Sequence, residues 1–293
     1  MSQLQVNKKN LATNENHESL QESQLKRVAD FIGSEVGIQL PTSKQKLVEG
    51  RLRRRLKVLG YSDFKNYLDY TLESPDGELE KLQLIDVITT NKTNFYRESD
   101  HFDYLSSDAV AELEKIKKNE SRRELNFWSA GCSTGEEPYT LSIVLNEIAA
   151  KNKDLKFNIL ATDISHTCLS KASRGIYTSR QIDVIPMELR KKYLLRSRNA
   201  NEDLVQMGNK LRCSIKFKMI NLMDKQFNIS QKMDAIFCRN VMIYFDNDFR
   251  EELVGRFERQ LINGGYLFVG HSEPLSGIKT TLKQVAPMVY RKL

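Results

Sequence analysis

Four stretches of this sequence hold side chains from which chemistry could be built. Gly131-Cys132-Ser133-Thr134-Gly135-Glu136-Glu137-Pro138 follows the apolar run Leu125–Ala130 with two glycines, two acids and a proline. Glycines let a backbone turn tightly and approach a ligand, and proline suits the first turn of a helix. The spacing is not that of the pyrophosphate-binding G-x-G-x-x-G turn, and two glutamates would repel phosphate. A ligand carrying positive charge would tolerate them, and S-adenosylmethionine carries both a sulfonium and an ammonium group. Read alone, the stretch is equally a glycine turn whose acids favour a helix N-terminus. Asp163 ends the next apolar run, where doubly wound folds place the acid that binds ribose hydroxyls. It could instead cap the following helix, a role also open to Ser165. Thr89–Glu98 and Cys238–Phe245 are polar, aromatic-bearing stretches with no helical or strand period, and either could face a substrate or pack between domains.

The elements that must position these residues follow from hydropathy. Leu25, Val28, Ala29, Ile32 and Val36 share one helical face, with Gly37 to end it. Val48, Leu52, Leu56 and Leu59 form the stripe of a second helix stopped by Gly60. Ser62 is expected to cap a third, carrying Phe64, Tyr67, Leu68 and Leu72, and Leu79–Ile88 makes a fourth. Residues 21–88 thus read as a helical domain, and residues 1–20, polar throughout, as a disordered tail. From residue 89 the pattern alternates. Strands are expected at Leu125–Ala130, Phe157–Thr162, Asp234–Cys238 and Tyr266–Val269, with helices after Glu136, Ser165 and Asp248. The last of these helices is expected to stop at Asn263-Gly264-Gly265. Alternation of this kind predicts a doubly wound parallel sheet over 89–293. It lapses at about 174–222 into short polar strand-like pieces, read as a small inserted β-subdomain.

Composition narrows the class. The 293 residues are 40% hydrophobic and 28% charged, enough apolar content for a buried core, and no apolar run reaches the length of a membrane span. The N-terminus lacks the basic-then-apolar order of a secretory signal, so a cytoplasmic protein is expected. Four cysteines and four histidines show no metal-like spacing, which predicts free thiols and no metal. Formal net charge is +7, but it is local: Pro41–Gly60 holds Lys44, Lys46, Arg51, Arg53, Arg54, Arg55 and Lys57 against the single acid Glu49. That patch should face one anionic partner.

The phrases TTNKTNFYRE, FWSAGCSTGEEPYT, ATDIS, INLMD, DAIFCRNVMIYFD and LINGGYLFVGHSE, in this order, resemble the chemotaxis-receptor glutamate methyltransferase family, CheR. The resemblance covers about residues 21–293 and includes GRLRRRLKVLG in the helical domain. It implies an α/β protein: a class I S-adenosylmethionine methyltransferase domain, an N-terminal helical domain and an inserted β-subdomain. Carried over by position, it implies cofactor contacts from Thr93, Arg97, Ala130, Gly131, Glu136, Asp163, Asn221, Leu222, Arg239 and Asn240. Asn221 and Leu222 would hold adenine, Asp163 the ribose, and Glu136 the methionine ammonium. Arg97 and Tyr244 would flank the transferred methyl as catalytic residues. Lys46, Arg51, Arg53, Arg54, Arg55 and Lys57 would dock the acidic cytoplasmic helices of methyl-accepting chemotaxis receptors.

A glutamate side chain, with an ordinary pKa near 4.3, is already ionised at neutral pH and can attack a sulfonium methyl without a general base. The missing Cys–His or His–carboxylate nucleophile pair agrees with this. The expected enzyme is a monomer that takes no metal, binds no nucleic acid and does not insert into the membrane. Some relatives grip a receptor's C-terminal peptide with a glycine-bearing loop of the β-subdomain. The corresponding loop here, residues 195–202, has no glycine, and the expectation is that no tether is used. An RNA or small-molecule methyltransferase, and a non-catalytic adapter, are the rival readings.

Overall fold

The computed structural model describes residues 19–119, 124–197, 199 and 202–293. The expected tail therefore lies almost wholly outside the described residues, as do positions 198, 200 and 201 of the β-subdomain loop. Leu20, at the edge of that tail, is buried, and its backbone N–H donates to Glu49.

Four helices form the N-terminal domain: α1 Glu22–Val36, α2 Gln45–Leu59, α3 Phe64–Glu73 and α4 Glu78–Ile88. Their apolar stripes meet in one core around Val28, Ile32, Leu52, Phe64, Tyr67, Leu68 and Leu84. Leu59, expected in the α2 stripe, is 40% exposed because α2 ends there, with Gly60 in the left-handed conformation. Asp63 rather than Ser62 caps α3, its carboxylate accepting the Asn66 N–H, while the Ser62 hydroxyl donates to Asp63.

The second domain is a seven-stranded sheet. Its strands are β1 Leu125–Ala130, β2 Phe157–Asp163, β6 Ile215–Met219, β7 Met233–Cys238, β8 Leu261–Val269, β9 Lys283–Ala286 and β10 Val289–Arg291, in the order β6-β2-β1-β7-β8-β10-β9. The first five are mutually parallel, and β10 and β9 close one edge antiparallel. The sheet is therefore mixed. β7 is buried at every position, as expected of a parallel strand covered on both faces. The chain builds β1, β2 and β6 outward in one direction and returns to β1's other side with β7. That reversal puts a crevice outside the carboxyl ends of β1 and β7, where ligands of open α/β sheets bind.

The polarity of Ser214–Met219 places it in the expected insertion at about 174–222, but Ile215–Met219 is an edge strand of the main sheet, paired with Ile159–Asp163. An edge strand is half-solvated, so its composition looks like an insertion. The separate sheet contains only β3 Ile176–Thr178, β4 Leu194–Arg196 and β5 Leu204–Met207, all antiparallel. Asn263-Gly264-Gly265 does not stop a helix: the helix Asn247–Gln260 ends earlier and these residues lie inside β8. Gly264, at φ +79, passes so close to Ile116 that a Cβ there would collide with it. Finally, the hydropathy pattern marked nothing over 99–119. There a helix runs through Asp100–Tyr104, a π-helical turn Leu105–Ala109 and Val110–Asn119, burying Phe102, Leu105, Val110 and Leu113 against the sheet. The π turn breaks the 3.6-residue period on which the pattern depends.

Candidate active site

The crevice holds about 980 Å3 of unfilled space, including its open mouth. Its walls come from the loops after β1, β2, β6 and β7, from the linker after α4, and from Val36 and Ile38 of the helical domain. Several bonds seat that domain over the crevice. Asn221 Nδ2 donates to the Glu35 carbonyl at 2.7 Å, Gln39 N–H to the Tyr244 carbonyl at 2.9 Å, and Thr167 Oγ1 to Asp86 at 2.5 Å.

Of the ten cofactor positions implied by the resemblance, Thr93, Arg97, Gly131, Asp163, Asn221, Leu222, Arg239 and Asn240 line this cavity, together with Tyr244. Gly131 sits at φ +84, and a Cβ there would lie 2.5 Å from Val241, so the turn admits only glycine. Asp163 is 8% exposed and accepts N–H groups from Ser133 (2.7 Å) and Ser165 (2.9 Å), one on each oxygen. Each oxygen keeps acceptor capacity for a ligand hydroxyl. Burial raises its pKa, against the pull of those N–H bonds. The cap of the next helix is Ser165, whose hydroxyl accepts the Cys168 N–H, which leaves Asp163 free of that duty.

Two positions are not brought in. Ala130 ends β1 and is buried next to Gly131, and does not itself line the cavity. Glu136 turns away: its carboxylate, 3% exposed, accepts from Thr134 (2.7 Å) and Gln181 (3.4 Å). Its neighbour Glu137 lines the cavity, with one oxygen accepting from the Ser129 hydroxyl (2.7 Å) and the other paired with Arg239 (3.2 Å). Consecutive residues at a helix start point about 100° apart, so spacing in the sequence could not decide which acid faces the ligand.

Arg239 lines the cavity but is spent on the protein. Its guanidinium, 2% exposed, pairs with Glu98 (2.9 Å) and Glu137 (3.2 Å) and donates to the Arg97 carbonyl. Burial pushes the Glu98 carboxyl up, but the charge and hydrogen bonds of Arg239 outweigh it and the net shift is downward. Glu98 also accepts from Asn240 Nδ2 at 3.2 Å. Arg239 therefore holds the Arg97 segment to the sheet. Tyr96, Glu98, Ser133 and Asn240 all adopt positive φ, which is costly for residues with a Cβ. Ser133 and Asn240 line the crevice, and Tyr96 and Glu98 flank Arg97, which also lines it. Asn91 also lines the cavity and Glu98 supports it through Arg239 and Asn240; both fall within the aperiodic stretch Thr89–Glu98, whose sequence does not single them out.

Among the described residues, Glu98, His101 and His271 bring possible metal-ligating atoms within 4.8 Å of one another. Glu98 already neutralises Arg239, and the guanidinium disfavours a second cation there. His101 is fully buried, and burial together with Arg239 lowers its pKa to about 4.

The basic helix divides in two. Arg55 forms a bidentate pair with buried Glu80, which also accepts from Tyr67 (2.9 Å). Arg53 pairs with Glu49 and lies over the Phe64 ring, and Arg51 donates to the carbonyls of Ile88 and Thr89. Lys46, Arg54 and Lys57 are exposed. Three of the six expected docking cations thus brace the bundle and the linker.

Two family models match the chain. "CheR methyltransferase, all-alpha domain" covers residues 23–89 and "CheR methyltransferase, SAM binding domain" covers 91–290. A chemotaxis protein methyltransferase of Borreliella burgdorferi is 40% identical over 275 residues, 94% of this chain and 95% of the relative. The chemotaxis protein methyltransferase of Salmonella typhimurium is 36% identical over 260 residues, 89% of this chain and 86% of the relative. The expectations of a class I methyltransferase fold, of S-adenosylmethionine as methyl donor and of an enzyme of chemotaxis are met, and the chain belongs to the CheR methyltransferase family.

Proposed function

We propose that the protein transfers the methyl group of S-adenosylmethionine to glutamate side chains in the cytoplasmic helical region of methyl-accepting chemotaxis receptors. The products are glutamate 5-O-methyl esters and S-adenosylhomocysteine. A carboxylate oxygen attacks the methyl carbon, the carbon–sulfur bond breaks, and its electron pair neutralises the sulfonium. The observation that carries this reading is one crevice lined by Asp163, Arg97 and Tyr244, with no histidine or cysteine on its wall among the described residues. Such a site suits an acceptor that arrives ionised. Its work is alignment and exclusion of water rather than proton removal.

Asp163 takes the ribose hydroxyls, and the methionine ammonium is met by the two acids that open the helix Glu136–Lys151, of which Glu137 lines the cavity. Asn221 spends its amide on Glu35 and, through its oxygen, on the Met223 N–H, so adenine is met by the backbone of 221–222. Arg97, anchored by a 3.0 Å bond to the Lys92 carbonyl, orients the substrate carboxylate, and the Tyr244 hydroxyl donates beside the methyl. Exposed Lys46, Arg54 and Lys57 steer the acidic receptor helices. The enzyme acts as a cytoplasmic monomer, without metal, nucleic acid or membrane insertion, and without a peptide tether at the β-subdomain.

The test is transfer of labelled methyl to receptor-containing membranes, followed by mild base. Release of the label as methanol is expected. Label that survives base would mean N-methylation and overturn the ester.

A further inference from the structure

The sequence Gly270-His271-Ser272-Glu273 follows β8 directly. Its acid, Glu273, is fully buried, and among the described residues no cation pairs with it. An uncompensated buried carboxylate is costly unless hydrogen bonds hold its charge. Here all the donors are backbone N–H groups. Oε2 accepts from Asn240 (2.6 Å) and Gly270 (2.7 Å), and Oε1 accepts from Ile243 (3.0 Å). Gly270 leaves the room: a Cβ there would lie 2.6 Å from Glu273 Oε2 and 2.6 Å from Asn240 Nδ2. Two of the three donors belong to the loop after β7, which carries Asn240 at φ +59 and Tyr244 in the short 3-10 turn Met242–Tyr244.

Asn240 is gripped twice, by Glu273 at its N–H and by Glu98 at its side chain. Among the described residues, the turn bearing Tyr244 has only Glu273 as a side-chain partner for its amides, with the Gln39 N–H on the Tyr244 carbonyl from the other domain. Glu273 does not line the cavity.

We propose that Glu273 is the positioning residue for the methyl-transfer step, clamping the 240–243 backbone so that Tyr244 is presented to the reacting methyl. It touches neither substrate nor cofactor. A carboxylate is required because it offers acceptors on both oxygens, whereas glutamine would set an amide N–H against a backbone N–H. This goes beyond the proposed methyl transfer and rests on it. Failure of that reading would appear separately, as no labelled ester formed by the unaltered protein.

The test is a double-mutant cycle with Glu273→Gln and Tyr244→Phe, read as kcat for receptor methylation. Thermal melting and S-adenosylhomocysteine affinity are measured in parallel. Glu273→Gln is expected to lower kcat about tenfold or more, since misplacing a group by an ångström costs factors of this order. The cofactor-product Kd should move less than about threefold, because Glu98 still holds Asn240. In the Tyr244→Phe background the same change should cost less than about threefold in kcat, because the group being positioned is already gone. Equal fold-losses in both backgrounds would reduce Glu273 to a general structural role and overturn the proposal, as would unchanged kcat in a folded Glu273→Gln protein. Should Glu273→Gln fail to fold, the cycle is run with Glu273→Asp, which keeps the charge but shortens the reach, and the same two outcomes decide.

Discussion

Arg239 and Glu98 form a buried ion pair, Nη2 to Oε2 2.9 Å, with side chains 2% and 13% exposed, and the same guanidinium reaches the Arg97 carbonyl. Removing one partner of such a pair strands the other charge in a low-dielectric site and costs about 3–5 kcal/mol. Arg239→Met should lower the unfolding free energy by roughly that amount and abolish methyl transfer, as urea denaturation and the label assay would show. Arg239→Lys should not restore either, because one ammonium cannot replace a fork that serves Glu98, Glu137 and the Arg97 carbonyl together. A loss under about 1 kcal/mol for Arg239→Met would contradict the role given to the pair.

Arg97→Ala should reduce kcat by about tenfold or more while changing S-adenosylhomocysteine affinity little. Its assigned contact is with the incoming carboxylate, which the product complex lacks. Calorimetry of the product complex beside steady-state kinetics checks this, and equal losses in both would remove Arg97 from the transfer step.

Asp163→Asn should weaken S-adenosylhomocysteine binding by about tenfold or more. The amide can still accept from Ser133 or Ser165, but it cannot offer two charged oxygens to the ribose. Asp163→Ala should be worse in melting temperature as well, since both N–H groups lose their acceptor. Unchanged affinity in Asp163→Asn would remove the ribose assignment.

Charge reversal at Arg54 and Lys57 should slow receptor methylation, most at low salt, and leave melting temperature and cofactor binding unaltered. Arg55→Glu should instead destabilise the bundle, because it sets two carboxylates together where Arg55 and Glu80 now meet. Kinetics over a salt series with thermal melts of both variants separates docking from bracing. Salt-independent methylation by the unaltered protein would refute the docking face.

His101 gives a pH signature. Its pKa falls from 6.5 to about 4 on folding, through burial and the charge of Arg239. Between those values the unfolded chain binds a proton that the folded protein does not, so this group's contribution to stability rises with pH. It is fully present above about pH 6.5 and is lost as pH falls towards 4, to the extent of about 3 kcal/mol. Burial raises the carboxyls of Asp163, Glu137 and Glu273, which favours folding on the acid side and opposes this slope. The difference between wild type and His101→Gln isolates the histidine. Denaturation at pH 7 and pH 5 should show the variant losing less stability over the interval, and parallel curves would contradict the shift.

What the linear order of residues settled was the kind of protein and the neighbourhoods of its site. Apolar runs alternating with amphipathic stretches sufficed for the central parallel strands, because strands covered on both faces must be apolar almost throughout, but not for the antiparallel edge of β10 and β9. The glycine turn, Asp163 and Cys238–Phe245 stand at strand ends in the chain, and such ends converge in a doubly wound sheet whatever the details of packing, whereas Thr89–Glu98 follows a helix and reaches the crevice through the packing of the two domains.

Only the tertiary structure decided which member of each neighbourhood lines the crevice and which is spent on the protein. Glu136 and Glu137 are adjacent in sequence, yet the start of the helix Glu136–Lys151 aims one at Thr134 and Gln181 and the other at the cavity. Arg53, Arg54 and Arg55 look alike in a row, but helical geometry turns Arg55 onto Glu80, 25 residues away, and leaves Arg54 in solvent. Ile215–Met219 joined the main sheet against its polar appearance, because pairing at an edge is a matter of backbone hydrogen bonds. Glu273, unremarkable in the chain, acquires a task only when β7 and β8 bring its carboxylate to the amides of residues 240 and 243. Periodicity reports what a residue's own element must bury, and charge partners and backbone acceptors across dozens of residues are set by how those elements pack.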